Sequence, residues 1–337
     1  MRIALVSDAW APQINGVVRT LGMLVAHLAA GGHPVETITP DRFRTIPCPS
    51  YPEIRLALMP RRRVAALIDG HRPDAIHIAT EGPLGMAARA FCLERSLPFT
   101  TAFHTRFPEY IAARFAVPIA WTYGWLRRFH APSRGVMVAT ETVRRDLAAH
   151  GFLRLKHWGR GVDDRLFDPA RREEDFGRDL NLTRPIFLFV GRIAVEKNLA
   201  DFLDLDLPGS KLVVGDGPML GELRRRYPAA QLIGKREGEA LARVYASADV
   251  FVFPSLTDTF GLVLLEALAS GLPVAAYPVA GPLDVIDDNG VGVLDRDLRR
   301  AALAALAIPR DRCRAFAQTH SWTASAQQFL GNLAPFR

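Results

Sequence analysis

Short apolar runs alternating with helix-length stretches set the rhythm of this chain. Residues 3–7 are apolar and too few for a helix. A loop with Pro12 and Asn15-Gly16 follows, and residues 17–30 then have helical length and stop at Gly31-Gly32. The same alternation predicts strands over 35–39, 75–79, 99–103 and 135–139, with helices over 84–95 and 141–150. After a charged, poorly periodic stretch at 163–184, a second series predicts strands over 185–190, 211–214, 231–233, 250–253 and 273–276, and helices over 238–247 and 260–270. Such alternation points to α/β architecture, with parallel sheets covered by helices on both faces. Doubly wound domains of this kind take ligands beyond the carboxyl ends of their strands. A length of 337 residues suits two such domains, divided near residues 160–170, with an active site expected in the cleft between them.

Composition narrows the class. A hydrophobic share of 49% beside 23% charged residues belongs to a folded chain without low-complexity segments. Cys48, Cys92 and Cys313 are odd in number and widely spaced, which suggests neither a disulfide framework nor a zinc site and fits a reducing compartment. Asp8 ends the first apolar run too early for a signal peptide, and no run of about 18 apolar residues exists to span a bilayer. The net charge of +7 is uneven: residues 1–165 hold 22 Lys/Arg against 13 Asp/Glu, and residues 166–337 hold 20 against 22. The surplus positive charge therefore lies in the first half, facing an anionic partner such as nucleic acid or acidic lipid. In that half, Phe115, Trp121, Tyr123, Trp125 and Phe129 are interleaved with Arg114, Arg127, Arg128 and Arg134, and Arg61-Arg62-Arg63 lies upstream. These aromatics suit a lipid headgroup layer or, equally, a core with a solvated arginine fringe.

Four motifs carry candidate chemistry. Asp258 precedes a helix expected to start near Phe260 and stop at Gly271, which puts Glu266 about six residues inside it, roughly 9 Å along the axis. The unpaired N–H groups of such a helix start suit a diphosphate, and Gly261 lets the backbone come close. An ordinary N-terminal acid with a solvated Glu explains the spacing as well. Gly191-Arg192 and Lys197, on a loop after an apolar run, offer two cations for phosphate oxygens, although a solvated loop also explains them and no Walker pattern is present. Gly215-Asp216-Gly217-Pro218 is one residue too long for a dinucleotide fingerprint and reads as a tight turn. His104 ends a strand, where it either meets a ligand or serves the fold. Asp204/Asp206 and Asp295/Asp297 match a two-acid metal pattern in unsuitable surroundings and are set aside.

Taken in order, Asn15-Gly16, His104, Gly191-Arg192…Lys197 and Asp258…Glu266 resemble the retaining glycosyltransferases of family 4, whose fold is the two-domain GT-B architecture. The resemblance covers nearly the whole chain, and it departs from the pattern at Asp258, where the family has Glu. It implies roles by position. Arg192 and Lys197 would neutralise the diphosphate on the Gly191 loop and support the leaving group, Glu266 would hold the ribose, and Asp258 the donor sugar. The backbone of Thr259, Phe260 and Gly261 would assist. Gly16 would approach the β-phosphate, His104 the sugar near its reacting carbon, and Ile233-Gly234-Lys235 the base. His104, Arg192, Lys197 and Asp258 are thus the implied catalytic set, with retention of configuration and with no metal or other cofactor.

Residues 12–20, 103–110 and 159–163 look most like the branch of sulfoquinovosyl- and glycosyl-diacylglycerol synthases and related mannosyltransferases. This implies a UDP-sugar donor, a diacylglycerol-type or ceramide acceptor, and peripheral attachment to the cytoplasmic face of an anionic membrane. GDP-mannose as donor, or a soluble sugar or polysaccharide as acceptor, are the alternatives. His320-Ser321-Trp322 resembles the family's last segment, which returns to the first domain. The implied domains are 1–165 with 321–337, on the acceptor and membrane side, and 166–320, for the nucleotide sugar. Nucleic-acid binding rests on charge alone, without a recognition motif, and a nicotinamide-dependent oxidoreductase rests on the malformed glycine turn.

Overall fold

The computed structural model describes residues 1–13, 15–48, 51–104, 118–258, 260–286 and 289–336, with residues 51–53 as backbone only. The chain forms two compact units, Met1–Arg160 with Trp322–Arg337, and Gly161–Ser321.

The first unit runs β1 (Ile3–Val6), α1 (Gly16–Ala30), β2 (Val35–Ile38), β3 (Thr45–Cys48), β4 (Tyr51–Ala57), α2 (Arg61–His71), β5 (Ala75–Ile78), α3 (Pro83–Glu94), β6 (Thr100–Phe103), α4 (Ile119–His130), β7 (Val136–Val138), α5 (Glu141–Ala149) and β8 (Leu155–His157). Its main sheet has the order β2-β1-β5-β6-β7-β8 and is parallel throughout. β1, β5 and β6 are buried at every position; β1 therefore reads as an unbroken apolar run, whereas β5 encloses the buried His77 and β6 the buried Thr100 and Thr101. Alternate residues feed opposite layers. Ala4, Val6, Ile76 and Ile78 pack with Val64 and Ile68 of α2 and with Leu84, Ala88 and Phe91 of α3. Ile3, Leu5 and Ala75 pack with Leu21, Leu24 and Leu28 of α1. β3 and β4 form a separate antiparallel hairpin.

The second unit runs β9 (Ile186–Val190), α6 (Leu199–Leu203), β10 (Ser210–Val214), α7 (Leu220–Arg226), β11 (Gln231–Leu232), α8 (Gly238–Ser247), β12 (Val250–Phe253), α9 (Leu262–Ala269), β13 (Val274–Ala276), α10 (Ala280–Val285), β14 (Gly292–Leu294), α11 (Leu298–Ala305) and α12 (Arg310–Gln318). The sheet order is β11-β10-β9-β12-β13-β14, again parallel. Phe187, Phe189, Val213, Val250 and Val252 pack one of its faces against Leu199, Phe202, Leu298 and Ala301. The last helix, α13 (Trp322–Asn332), belongs to the first unit, where Ala326 and Phe329 join the layer under α1.

Each sheet reverses its winding once, between β1 and β5 in the first unit and between β9 and β12 in the second. In doubly wound folds the loops leaving the strands at such a reversal open a crevice. Those loops carry Asn15-Gly16, Gly191-Arg192 with Lys197, and Asp258, whereas His104 follows β6 and residues 233–235 follow β11.

The start of α9 differs from the sequence expectation by two residues. α9 begins at Leu262, not Phe260, because its N-cap Gly261 has φ +82°, a left-handed conformation that ends the preceding loop. Glu266 is then four residues into the helix, about 6 Å from its start.

Candidate active site

In the second unit the loops leaving β9 and β12 are stitched together. Asn198 donates Nδ2–H to the Pro254 carbonyl at 3.4 Å, and Ser255 and Thr257 hydroxyls donate to the Glu196 carbonyl at 3.4 and 3.5 Å. This brings the two charged motifs into contact: Lys197 Nζ donates to both carboxylate oxygens of Asp258, at 2.6 and 2.7 Å. Both side chains keep about a fifth of their surface open, 18% and 20%. Partly buried Arg192 lies on the same loop, just past Gly191 and the end of β9. Phe260 and Gly261 lead into α9, whose N-cap, being glycine, has no side chain to occupy the helix's first N–H groups. Thr259 lies outside the described residues.

Glu266, the residue expected to hold a ribose, lies deep beside the loop. It is 3% exposed, and the hydroxyl of fully buried Tyr245 donates to its Oε2 at 3.1 Å. Because α9 is buried along most of its length, a residue four positions in faces protein. Ile233, Gly234 and Lys235 lie on the loop leaving β11, on the same carboxyl edge, where Gly215 N donates to Gly234 O at 3.0 Å and Lys235 pairs with Glu237 at 2.7 Å. The glycines at 215 and 217 serve close packing: a Cβ on Gly215 would lie 1.8 Å from the Gly191 carbonyl oxygen. The two-acid patterns are locally engaged. Asp204 accepts from Tyr227 at 2.8 Å, Asp295 pairs with Arg300 at 2.5 Å, and Asp297 caps α11 through Arg300 N at 3.1 Å. Among the described residues no three His, Cys, Asp or Glu side chains are grouped to hold a metal ion.

In the first unit the switch point is organised by Asp8, which sequence reasoning treated only as the end of an apolar run. At 6% exposure it accepts from Leu84 N at 2.8 Å and Gly85 N at 3.2 Å, capping α3 from across the sheet, and from the Thr80 hydroxyl at 3.0 Å. Burial raises its carboxyl above the ordinary range despite these bonds. Gln13 donates to the Asp8 carbonyl at 3.1 Å, Asn15 donates to Gln13 Oε1 at 3.3 Å, and Asn15 Oδ1 caps α1 through Val18 N at 3.0 Å. This chain of bonds places Gly16, the first residue of α1. A Cβ there would meet no described atom within 4 Å, so none of the described residues requires a glycine at 16.

His104 follows β6 and packs edge-on to Trp158, ring centroids 5.7 Å apart. Burial, then the Arg160 cation, then His77 hold its imidazole well below the usual range, so it is neutral at pH 7. Arg160, which is outside the implied site residues, is 6% exposed and lies over the Trp158 ring.

Helix α4 divides the aromatic-basic stretch between two environments. Tyr123, Leu126 and Phe129 are buried, whereas Trp121 and Trp125 are 75% and 50% exposed and share a face with exposed Arg128 at helical spacing. Residues 105–117, including Arg114 and Phe115, lie outside the described residues. Arg61, Arg62 and Arg63, at the start of α2, are exposed beside Met59, which is 93% exposed.

Two parallel, doubly wound units with polar loops at their switch points make up the GT-B architecture. A solved sucrose-phosphate synthase from Thermosynechococcus elongatus has the same fold, with a TM-score of 0.75 over 98% of this chain and 97% of that one, at 22% identity. Residues 14–166 match the family model Glycosyltransferase Family 4, and residues 184–311 match Glycosyl transferases group 1. A GDP-mannose-dependent alpha-mannosyltransferase from Mycolicibacterium smegmatis is 34% identical over 333 residues, covering 90% of this chain and 87% of the relative. An alpha-monoglucosyldiacylglycerol synthase from Streptococcus pneumoniae is 26% identical, covering 92% and 79%. The chain belongs to glycosyltransferase family 4.

Proposed function

We propose that this chain is a retaining, metal-independent hexosyltransferase that moves a sugar from a nucleoside-diphosphate sugar to a lipid acceptor at an anionic membrane surface. The observation that carries the donor side is the Lys197–Asp258 contact at the β9/β12 switch point, with Arg192 on the same loop. Two cations at a strand end and the open start of α9 supply what a diphosphate leaving group needs, namely positive charge and N–H donors where negative charge develops. In this reading Arg192 and Lys197 hold the diphosphate, Asp258 with the backbone of 259–261 holds the sugar, and Glu266 reaches the ribose from its place beside Tyr245. The loop at 233–235 faces the base, Gly16 approaches the β-phosphate, and His104 meets the sugar near its reacting carbon.

For the donor, UDP-sugars fit the likeness to diacylglycerol glycosyl synthases. GDP-mannose is favoured by a separate observation, since the 34% identical relative with nearly full mutual coverage is named for that donor. The lipid acceptor is supported by the name of the diacylglycerol-product relative and by the exposed Trp121, Trp125 and Arg128 face on the basic unit. Exposed tryptophans beside arginines suit a headgroup layer. No helix among the described residues is long and apolar enough to cross a membrane, so contact through this face is the means we propose.

The test is transfer of labelled sugar from GDP-mannose and from UDP-hexoses to vesicles containing diacylglycerol or a monoglycosyl diacylglycerol, with EDTA present. Labelled lipid that keeps the donor's anomeric configuration is the expected product. Label appearing only on added soluble sugars would overturn the lipid reading. Trp121→Ala with Trp125→Ala is expected to reduce sedimentation with anionic vesicles while leaving nucleotide binding unchanged.

A further inference from the structure

Arg160 is a buried cation beside His104. It stands just beyond β8 at 6% exposure, a costly place for a guanidinium unless the position is put to use. Nη1 donates to the carbonyls of Trp158 at 2.6 Å and Gly159 at 3.2 Å, and the guanidinium lies 4.2 Å from the Trp158 ring centroid. Nη2 reaches His104 Nδ1 at 3.4 Å. Helix α13 braces the segment. Trp158 Nε1 donates to Ser325 Oγ at 3.2 Å, Ser325 Oγ donates to the Gly159 carbonyl at 2.8 Å, and Gly159 N donates to Gln328 Oε1 at 2.6 Å. A buried cation is thus held by its own backbone neighbours, which a helix more than 160 residues further on fixes in turn, at a point where it meets His104.

A guanidinium donates and never accepts, so the imidazole nitrogen facing it must be the acceptor. The proton of the neutral ring then resides on Nε2. We propose that Arg160 is a positioning residue that fixes His104 as the Nε2–H tautomer, so that His104 acts on the donor sugar as a hydrogen-bond donor and not as a base. The proposal rests on the reading of His104 given above. Among the described residues, the titratable groups facing the ring are Arg160 and His77 of β5, and both disfavour a second proton on it. Burial brings Arg160 down to about 9, which leaves it charged at neutral pH.

The experiment is long-range proton–nitrogen NMR of the full chain with 15N-labelled histidine rings between pH 5.5 and 8, the His104 signals being assigned by their loss in His104→Gln. The expected result is an Nε2–H tautomer that does not titrate in this range. An Nδ1–H tautomer, or titration near the ordinary histidine value, overturns the proposal whatever His104 does in catalysis. In Arg160→Met the ring is expected to become a tautomer mixture, with turnover of GDP-mannose or UDP-glucose reduced about 100-fold while the donor KM changes less than about threefold. Arg160→Lys, which keeps a cationic donor, is expected to keep the tautomer and recover part of the rate. A merely structural arginine would lower the melting temperature of Arg160→Met and leave the tautomer as it was, which contradicts the proposal. If Arg160→Met fails to fold, the wild-type and Arg160→Lys spectra decide. The expected tautomer in a chain that turns over no nucleotide sugar would leave the positioning intact and remove the functional reading instead.

Discussion

Lys197 and Asp258, 61 residues apart, form a two-pronged contact at 2.6 and 2.7 Å that joins the loop after β9 to the loop after β12. With about a fifth of each side chain open, the pair contributes on the order of 1 kcal/mol to folding. Its removal is expected to cost little stability and much activity. Lys197→Ala should lower turnover roughly 100-fold or more and the melting temperature by no more than about 4 °C; a chain with normal turnover contradicts the assignment. Asp258→Glu adds one methylene and displaces the carboxylate from Lys197. The ratio of kcat/KM between donor sugars should change, whereas identical ratios would show that Asp258 does not face the sugar.

Glu266 separates ligand binding from folding. Glu266→Gln keeps an acceptor for the Tyr245 hydroxyl, whereas Glu266→Ala leaves that buried group without it. The alanine variant is expected to lose about 1–3 kcal/mol of stability, seen as a lower denaturation midpoint. The glutamine variant should melt near the wild type yet bind nucleoside diphosphate roughly tenfold more weakly, since hydrogen bonds to a charged acceptor are the stronger kind. Undiminished nucleotide affinity in Glu266→Gln would make this residue purely structural.

Gly16 offers the cleanest separation of fold from function. A Cβ meets no described atom within 4 Å, and alanine favours the helix that Gly16 begins. Gly16→Ala should therefore match or exceed wild-type thermal stability while losing transfer activity about tenfold or more, because the methyl group would occupy the space of a close backbone–phosphate approach. Full activity would remove Gly16 from the site.

Much of this was legible in the apolar runs. β1, β5, β9 and β12 are covered on both faces, so their sequences carry an almost unmixed hydrophobic signal. The β3–β4 hairpin carries no such signal, because Pro47 and Pro52 interrupt it and one strand is only partly buried. The charged motifs could be named in order, but not the depth of their members. Glu266 is buried through Tyr245, 21 positions away, and Arg160 through Ser325 and Gln328 beyond Trp158 and Gly159. Burial of a charge is decided by partners distant in sequence, and a single chain does not display them. Asp8 escaped for the same reason, since its capping partners lie 76 and 77 residues downstream.

His77 gives the fold a pH dependence of definite sign. Full burial, then the Arg160 cation, lower it to about 3, so the folded chain holds it neutral while the unfolded chain binds a proton below the ordinary value of 6.5. The unfolded state then carries more protons, and stability falls as pH drops from about 6.5 towards 3, by on the order of 1 kcal/mol per pH unit for this group. Asp8, raised by burial, has the opposite sign. The comparison that isolates His77 is therefore wild type against His77→Gln, by denaturant unfolding at pH 6.5, 6.0, 5.5 and 5.0. The wild type is expected to lose stability more steeply than the variant, and equal slopes would contradict a neutral buried His77.

The β9/β12 switch point is proposed to bind a nucleoside diphosphate without a metal. Calorimetric titration of GDP and of UDP into the full chain in EDTA tests it directly. At least one of the two should bind, with affinity reduced at least tenfold in both Arg192→Ala and Lys197→Ala variants that melt like the wild type. No binding of either nucleotide in EDTA, or affinity indifferent to both substitutions, would contradict the account.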